Sequence, residues 1–95
     1  MAKPVVRFAS IGLNHAHIYG QTQQMLSAGA ELVSYYSREA EIGSKYQEAF
    51  PQAKAARSEA EILEDESIQL ILTSAIPSQR AGIGIRAMQH GKDFM

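Results

Sequence analysis

Apolar positions in this chain form short runs that alternate with segments in which apolar residues recur every three or four positions. The short runs predict β-strands, and the wider spacing predicts helices with one side against a core. The predicted strands are residues 5–11, 31–36, 52–56, 68–73 and 93–95. The predicted helices are residues 16–28, residues 38–50, a short helix opening at Ser58, and a helix from Pro77 or Ser78 to His90. Strand and helix therefore alternate along the whole chain.

Glycine, proline and serine mark the ends of these elements. Gly29 and Gly91 follow two predicted helices and Pro51 follows another, because glycine adopts the left-handed conformation of a helix end and proline cannot continue a helix. Ser58 stands three residues before Glu61, which is the capping-box spacing of a helix start. The strand at 68–73 is almost continuously apolar, as in an interior parallel strand covered on both faces.

Strands that alternate with helices at this short pitch predict an α/β fold with right-handed crossovers and helices on both faces of a parallel sheet. We expect a Rossmann-type doubly wound sheet of order 3-2-1-4-5, with the chain ending after the start of the fifth strand. Ligands of such sheets bind beyond the carboxyl ends of the strands where the winding reverses, here between the first and fourth strands. Residues 12–17 and 74–77 meet at that point.

Composition narrows the classes of protein and partner. The 95 residues are 45% hydrophobic and carry 9 basic and 10 acidic side chains, giving a formal net charge of -1. One small domain fits this length, and the balanced charge disfavours nucleic acid or an anionic membrane as partner. No apolar run approaches the roughly 18 residues of a membrane span, and the N-terminus lacks a secretory signal, so we expect a cytoplasmic protein. The absence of cysteine excludes a disulfide scaffold and a thiolate nucleophile.

The loop after the first strand carries the first candidate site. Gly12 ends an apolar strand and opens a helix, which brings unpaired backbone N–H groups and the positive end of a helix dipole to one point. This arrangement suits a phosphate. The full dinucleotide fingerprint is Gly-x-Gly-x-x-Gly, whereas Asn14 and His17 stand here at the second and third glycine positions. The alternative is a turn glycine that ends a strand without any ligand.

The end of the second strand reads Tyr36-Ser37-Arg38, where a nucleotide fold usually places the residue that selects its ribose. An acid there accepts hydrogen bonds from the ribose of NAD, whereas a small hydroxyl followed by arginine suits the 2′-phosphate of NADP. This favours NADP, with NAD as the other possibility. The alternative is that Ser37 only caps the second helix and Arg38 is solvated. Small residues at 73–78 would let the backbone approach the same ligand, although a plain turn explains them nearly as well.

His15 and His17 raise the question of a metal site. A metal needs three or four ligands, and no acidic residue lies near this loop to complete the set, so we expect none. The two histidines could donate to phosphate, face the reacting end of a cofactor, or fill space in the loop.

The two glycines of the last predicted helix, together with Arg80 and Lys92, are interpreted structurally and not as parts of a site. Gly82 and Gly84 lie within the last predicted helix and indicate close packing on the sheet, since each glycine lowers helix propensity by about 1 kcal/mol. Arg80 and Lys92 are interpreted as solvated side chains near the binding edge.

The order and spacing of four segments resemble the Gfo/Idh/MocA oxidoreductases, the family of glucose-fructose oxidoreductase and inositol dehydrogenase. The segments are Phe-Ala-Ser-Ile-Gly-Leu-Asn-His at 8–15, Ala-Glu-Leu-Val-Ser-Tyr-Tyr-Ser-Arg at 30–38, Ser-Ile-Gln-Leu-Ile-Leu-Thr-Ser-Ala-Ile-Pro-Ser at 67–78, and Ala-Met-Gln-His-Gly-Lys-Asp-Phe-Met at 87–95. No single motif is specific, but the ordered set covers essentially the whole chain. The resemblance implies an NAD(P)-binding Rossmann domain over residues 1–95.

The resemblance also implies which residues hold the cofactor. They are Gly12, Asn14 and His15 along the pyrophosphate, Ser37 and Arg38 at the adenosine ribose, and Ser74, Ala75 and Pro77 along the nucleotide toward the nicotinamide. This chain departs from the family pattern in the missing later glycines, in Ser37 where an acid is usual, and in Arg80 where many members carry histidine. The second departure favours NADP, and the third leaves the substrate side open.

The family's catalytic lysine lies in a Glu-Lys-Pro motif that we expect just beyond Met95, and its substrate residues belong to a second α/β domain. No catalytic residue is therefore assigned to this chain, and Lys92 does not replace that lysine. The resemblance implies hydride transfer between a nicotinamide and a sugar, cyclitol or related polyol, with the missing domain holding substrate and forming a homo-oligomer. The alternatives are a non-catalytic dinucleotide-binding or regulatory module and, less favoured, a phospho-acceptor receiver domain, whose clustered acids are absent after the first strand.

Overall fold

The computed structural model describes residues 5–95, which form nine elements in strict alternation. Their bounds are β1 (Arg7–Ile11), α1 (His17–Ser27), β2 (Glu31–Tyr36), α2 (Ala40–Ala49), β3 (Lys54–Ala55), α3 (Glu59–Leu63), β4 (Leu70–Leu72), α4 (Pro77–Gln89) and β5 (Asp93–Phe94). The predicted succession of elements is confirmed. None of the helices in this part of the chain is long and apolar enough to span a membrane.

The five strands form one parallel sheet in the order β3-β2-β1-β4-β5. This confirms the predicted Rossmann-type topology, whose winding reverses between β1 and β4. Because all strands are parallel, their carboxyl ends meet at one edge, and the loops that follow β1, β2 and β4 lie together there.

Two hydrophobic cores lie on opposite faces of the sheet. One contains Phe8, Leu32 and Leu72 of the sheet together with residues of α1 and α2, and the other contains Ala9, Ile11 and Ile71 with residues of α3 and α4. Successive residues of a strand point to opposite faces, so Phe8 and Ala9 of β1 serve different cores. This explains why the strand at β4 is almost continuously apolar.

Tyr46 of α2 ties the first core together through a chain of hydroxyl groups. Its side chain is fully buried, and its Oη lies 2.9 Å from Ser10 Oγ and 2.8 Å from Thr22 Oγ1. Thr22 Oγ1 donates to the Ile18 carbonyl at 2.7 Å, so the Tyr46 hydroxyl must donate to Thr22 and accept from Ser10. Burial raises the pKa of the Tyr46 phenol, although its hydrogen bonds with Ser10 and Thr22 act in the opposite direction. The network joins β1, α1 and α2.

The interpretation of Lys92 as a solvated side chain near the binding edge is wrong. Lys92 is only 5% exposed, and its Nζ donates to the carbonyl oxygens of Asp65 and Ile68, both at 2.7 Å. These carbonyls belong to the turn that leads into β4, so Lys92 lies at the amino edge of the sheet, opposite the candidate site. The same turn explains why β4 begins at Leu70 and not at the predicted residue 68.

The two glycines of α4 differ in role. A Cβ on Gly84 would lie 2.7 Å from Cε2 of Phe94, so this glycine allows α4 to pack closely against β5, as predicted. A Cβ on Gly82 would meet only the guanidinium of Arg86, with Nη1 at 3.0 Å. The packing interpretation is therefore wrong for Gly82, which borders an open cleft instead.

Candidate functional site

Backbone hydrogen bonds join three loops at the carboxyl edge of the sheet. The Gly12 N–H donates to the Tyr36 carbonyl at 3.0 Å, and the Ser74 N–H donates to the Gly12 carbonyl at 2.9 Å. The His15 N–H donates to the Ser74 carbonyl at 3.0 Å. The ends of β1, β2 and β4 are thus held together at the point where the winding reverses.

Gly12 is required by its conformation and by its surroundings. Its φ is +79°, in the left-handed region that L side chains rarely adopt, and an added Cβ would lie 2.6 Å from the Ala75 Cβ. The loop therefore packs against the β4–α4 turn without an intervening side chain. Thr73 supports the same turn by accepting a hydrogen bond from the Ala75 N–H at 3.1 Å.

The N-terminus of α1 is left available for a ligand. Its N-cap residue, Ala16, provides no side-chain hydrogen bond, and the first turn contains no acidic residue. Within residues 5–95, the backbone N–H groups of Leu13, Asn14 and Ala16 have no hydrogen-bond partner. Free N–H groups in the loop and at the N-cap of an eleven-residue helix suit an anion.

A cleft of about 230 Å³ opens beside this loop, between β2, α3 and α4. Its lining combines an aliphatic floor with polar and charged walls: Ile11, Gly12, Asn14, Tyr36, Arg38, Glu39, Glu59, Ser78, Gln79, Gly82, Ile83 and Arg86. The size and mixed lining suit part of a nucleotide.

The structure brings some of the predicted site residues to this cleft and places others behind it. Gly12, Asn14 and Arg38 line the cleft, whereas the remaining predicted residues do not: His15, Ser37, Ser74, Ala75 and Pro77. Ser74 and Ala75 are buried and fix the loop, the former through its Oγ, which donates to the His15 carbonyl at 2.8 Å. Pro77 is the first residue of α4, and the side chain of His15 is exposed.

Ser37 is engaged in a local turn. Its Oγ accepts from the Glu39 N–H at 3.2 Å and lies within hydrogen-bond distance of the Glu39 carbonyl and of Glu39 Oε2. This turn holds Glu39 in an extended conformation, so α2 begins at Ala40 and not at the predicted residue 38. Ser37 therefore orders the approach to α2 but does not cap it, so the capping alternative is wrong: the N-cap residue is Glu39, and no side chain caps the helix. Glu39 also lines the cleft.

Four charged side chains line the cleft, and their formal charges cancel as two arginines against two glutamates. Arg86 of α4 binds Glu59 of α3 with two hydrogen bonds, one of them from Nη2 to Oε1 at 2.9 Å. The hydrogen bond to Glu59 raises the pKa of Arg86. Arg38, in contrast, makes no ion pair within residues 5–95.

Sequence reasoning missed Glu39, Glu59 and Arg86. Glu39 lies two residues after position 37, where a nucleotide fold usually has the acid that binds the ribose of NAD. Nothing in the local sequence pattern indicates that the turn at Ser37 brings Glu39 to the cleft. Glu59 and Arg86 are 27 residues apart and meet because α3 and α4 pack on the same face of the sheet.

The rings of His15 and His17 stack with centroids 6.3 Å apart on the exposed side of the loop. In the described part of the chain, no three histidine or acidic side chains come close enough together to hold a metal ion.

Solved structures with the same fold were found over nearly the whole chain. A protein from Erwinia carotovora atroseptica described as an oxidoreductase is 40% identical, with a TM-score of 0.90, over 94% of this chain and 27% of its own. The structure neighbours of this chain are Gfo/Idh/MocA-type oxidoreductases. The resemblance predicted from the sequence is confirmed.

Two more distant Gfo/Idh/MocA-type neighbours show the fold with ligands bound. Myo-inositol dehydrogenase from Lactobacillus casei, in complex with NAD(H) and myo-inositol, is 19% identical with a TM-score of 0.83, over 96% of this chain and 27% of its own. Biliverdin reductase from Synechocystis, in complex with biliverdin and NADP+, is 22% identical with a TM-score of 0.79, over 94% and 28%. The chain thus spans about a quarter of the length of these Gfo/Idh/MocA-type proteins. No family model and no curated protein matches the sequence.

Proposed function

We propose that residues 1–95 form the NAD(P)-binding domain of an oxidoreductase. The observation that carries this proposal is the uncapped N-terminus of α1, which lies beside the cleft at the point where the sheet reverses its winding. A free helix N-terminus favours a dianionic pyrophosphate, and the adjoining cleft gives the attached nucleoside a site. The neighbours with bound NAD(H) and NADP+ support this proposal.

The residues of the loop fit this role without the missing glycines. The N–H groups of Leu13, Asn14 and Ala16 would donate to the pyrophosphate, and the Asn14 side chain borders the cleft next to them. His15 contributes through its backbone, which holds the loop to Ser74. Pro77 would lie along the nucleotide toward the nicotinamide, whereas Ala75 is fully buried and keeps the loop close to the β4–α4 turn.

The preference for NADP is part of this proposal. Arg38 lines the cleft with no ionic partner in residues 5–95, so it is free to bind a 2′-phosphate. The carboxylate of Glu39 lies next to it and would accept from a ribose 2′-hydroxyl, which supports NAD. The two residues therefore oppose each other in cofactor selection, and we place Arg38 as the stronger determinant because Glu39 already lies within hydrogen-bond distance of Ser37.

The reaction proposed for the whole protein is hydride transfer between a nicotinamide and a carbon atom of a sugar, cyclitol or related polyol. The cofactor supplies the redox chemistry when bound. The part played by this chain is to bind and orient it, while a lysine and a substrate domain outside residues 1–95 would complete the site and form the oligomer.

Calorimetric titration of the chain with NADPH and with NADH tests the proposal. We expect binding of both, with NADPH tighter. Arg38→Met should remove most of the difference in affinity that favours NADPH. Glu39→Gln should weaken the binding of NADH more than the binding of NADPH. Arg57→Met is the matched control, because Arg57 is exposed and lies outside the cleft. Tighter NADH binding would overturn the NADP preference, and binding of neither dinucleotide would overturn the function.

A further inference from the structure

The two arginines of the cleft are in different electrostatic states. Arg38 has no ionic partner in residues 5–95, whereas Arg86 forms a two-point ion pair with Glu59 across the gap between α3 and α4. A guanidinium that is neutralised by a carboxylate has little attraction left for a phosphate. It still presents a planar, weakly hydrated surface, which stacks well on aromatic rings.

Arg86 is also fixed in position. Its side chain is 45% exposed and that of Glu59 24%, and both line the cleft. The guanidinium lies against α4 at Gly82, where an added Cβ would approach Nη1 to 3.0 Å. Because Gly82 has no side chain, there is room for the guanidinium at this point of the cleft wall. The carboxylate of Glu59 binds it there.

Other residues that line the cleft suit a nucleobase. Ile11 and Ile83 provide buried aliphatic surface, and Gln79 and Ser78 provide polar groups that can bind the edge of a ring. Asn14 of the loop before α1 and Arg38, which makes no ion pair within residues 5–95, line the same cleft.

We infer that the adenine ring of the bound nucleotide stacks on the Arg86 guanidinium. Glu59 binds this guanidinium, and the absence of a side chain at Gly82 makes room for it. This rests on the proposed dinucleotide function and assigns separate parts of the ligand to the two arginines. Arg86 is a specificity residue for the base, and Arg38 is the residue that binds the phosphate of the ribose.

A nuclear magnetic resonance experiment on the unmodified chain tests the stacking directly. Protons above an aromatic ring shift upfield, whereas protons in the plane of the ring shift downfield. Titration with AMP should move the Arg86 Nε–H resonance upfield, and titration with ribose 5-phosphate, which lacks the base, should not. The Nε–H of Arg57 is the internal control, because its ion pair with Glu61 has similar chemistry outside the cleft.

Variants provide a second readout. Arg86→Met and Arg86→Lys should each weaken the binding of AMP about tenfold, since stacking needs the planar guanidinium and not only its charge. A bulky side chain at position 82, as in Gly82→Leu, should displace Arg86 and have a similar effect. Gly20→Leu is its matched control, since a Cβ on that helical glycine meets no atom within 4 Å. The amide spectrum of each variant shows whether the chain remains folded.

The outcomes separate this inference from the function it rests on. A chain that binds NADPH but shows no upfield shift with AMP overturns the stacking assignment and leaves the dinucleotide function intact. Full rescue of AMP binding by Arg86→Lys also overturns it, because charge would then suffice. A chain that binds neither AMP nor a dinucleotide overturns both.

Discussion

At the scale of single residues, Tyr46 shows how a polar group can stabilise a buried position. In the chain from Ser10 to the Ile18 carbonyl, the Tyr46 and Thr22 hydroxyls each accept one hydrogen bond and donate one, and the direction of the chain is fixed by its last member. Deleting the Tyr46 hydroxyl leaves Ser10 without its acceptor and Thr22 without its donor, which costs more than the average hydrogen bond contributes.

We therefore expect Tyr46→Phe to lower the free energy of unfolding by about 1–3 kcal/mol. Urea denaturation monitored by circular dichroism measures this change. Tyr35→Phe is the control, since the Tyr35 hydroxyl donates to Gln47 at 3.0 Å in a less buried place and its loss should cost less. Equal losses for the two variants would contradict the role assigned to the Tyr46 network.

Gly12 is sensitive for two independent reasons, its φ of +79° and the close approach of Ala75. Gly12→Ala should destabilise the chain by about 2 kcal/mol or more, because backbone strain and a steric overlap act together. Thermal unfolding measures this cost. Gly12→Ala combined with Ala75→Gly removes the overlap and not the strain, so it should recover only part of the loss. Complete recovery would mean that the conformation of Gly12 matters little.

At the scale of elements, α1 combines the absence of a side-chain cap with the role in binding that we propose for it. A negative charge at position 16 would interact favourably with the positive end of the helix dipole and would repel the phosphate that is proposed to bind there. Helix stability and ligand affinity should therefore respond to such a charge in opposite directions.

Ala16→Asp is expected to raise the free energy of unfolding by about 0.3–1 kcal/mol through the helix dipole and to weaken dinucleotide binding at least tenfold. Ala16→Asn separates charge from shape, since asparagine is nearly the same size as aspartate but uncharged, and it should change both quantities less. Thermal unfolding and calorimetry on both variants provide the two measurements. A stabilised Ala16→Asp variant with unchanged affinity would show that the ligand does not use this helix end.

The order and type of the elements could be predicted because apolar runs and helix-terminating residues are local signals. Ser58 shows this well, since its Oγ accepts from the Glu61 N–H at 3.1 Å, as the capping-box spacing predicted. Lys92 shows the limit, because its partners are carbonyl groups 24 and 27 residues away that only the packed fold brings near. The same holds for Glu59 and Arg86. The loops of the site could be predicted, but the wall made by two helices on one face could not.

At the scale of the whole molecule, the turn before β4 contributes a pH-dependent part of the stability. The hydroxyl and the backbone N–H of Ser67 both donate to Asp65 Oδ1, at 2.7 and 2.9 Å. These hydrogen bonds lower the pKa of Asp65, with a smaller contribution from the positive charge of Lys92. The same turn provides the carbonyl groups that bind Lys92, the residue before β5. The conformation of this turn therefore affects both β4 and β5.

A carboxyl group with a lowered pKa in the folded state stabilises the fold above its unfolded pKa of about 3.9. This contribution is lost as the pH falls through the folded pKa. Asp65→Asn keeps an acceptor for Ser67 and removes the titration, so its stability should fall less steeply than that of the unmodified chain below about pH 4. Urea midpoints measured between about pH 3 and pH 7 test this. An equally steep fall in Asp65→Asn would contradict the assignment.

The hydrogen bonds that tie Gly12 to Tyr36 and Ser74, and His15 to Ser74, are made within the chain's own backbone and need no ligand group. The loop at the reversal of the sheet is therefore preorganised, and a ligand that meets it loses little affinity to the ordering of a mobile segment. Changes at Ser74, which need not touch the ligand, should then weaken binding mainly through entropy. Affinity at this edge of the sheet depends on how rigidly the loop is held as much as on the groups that it presents.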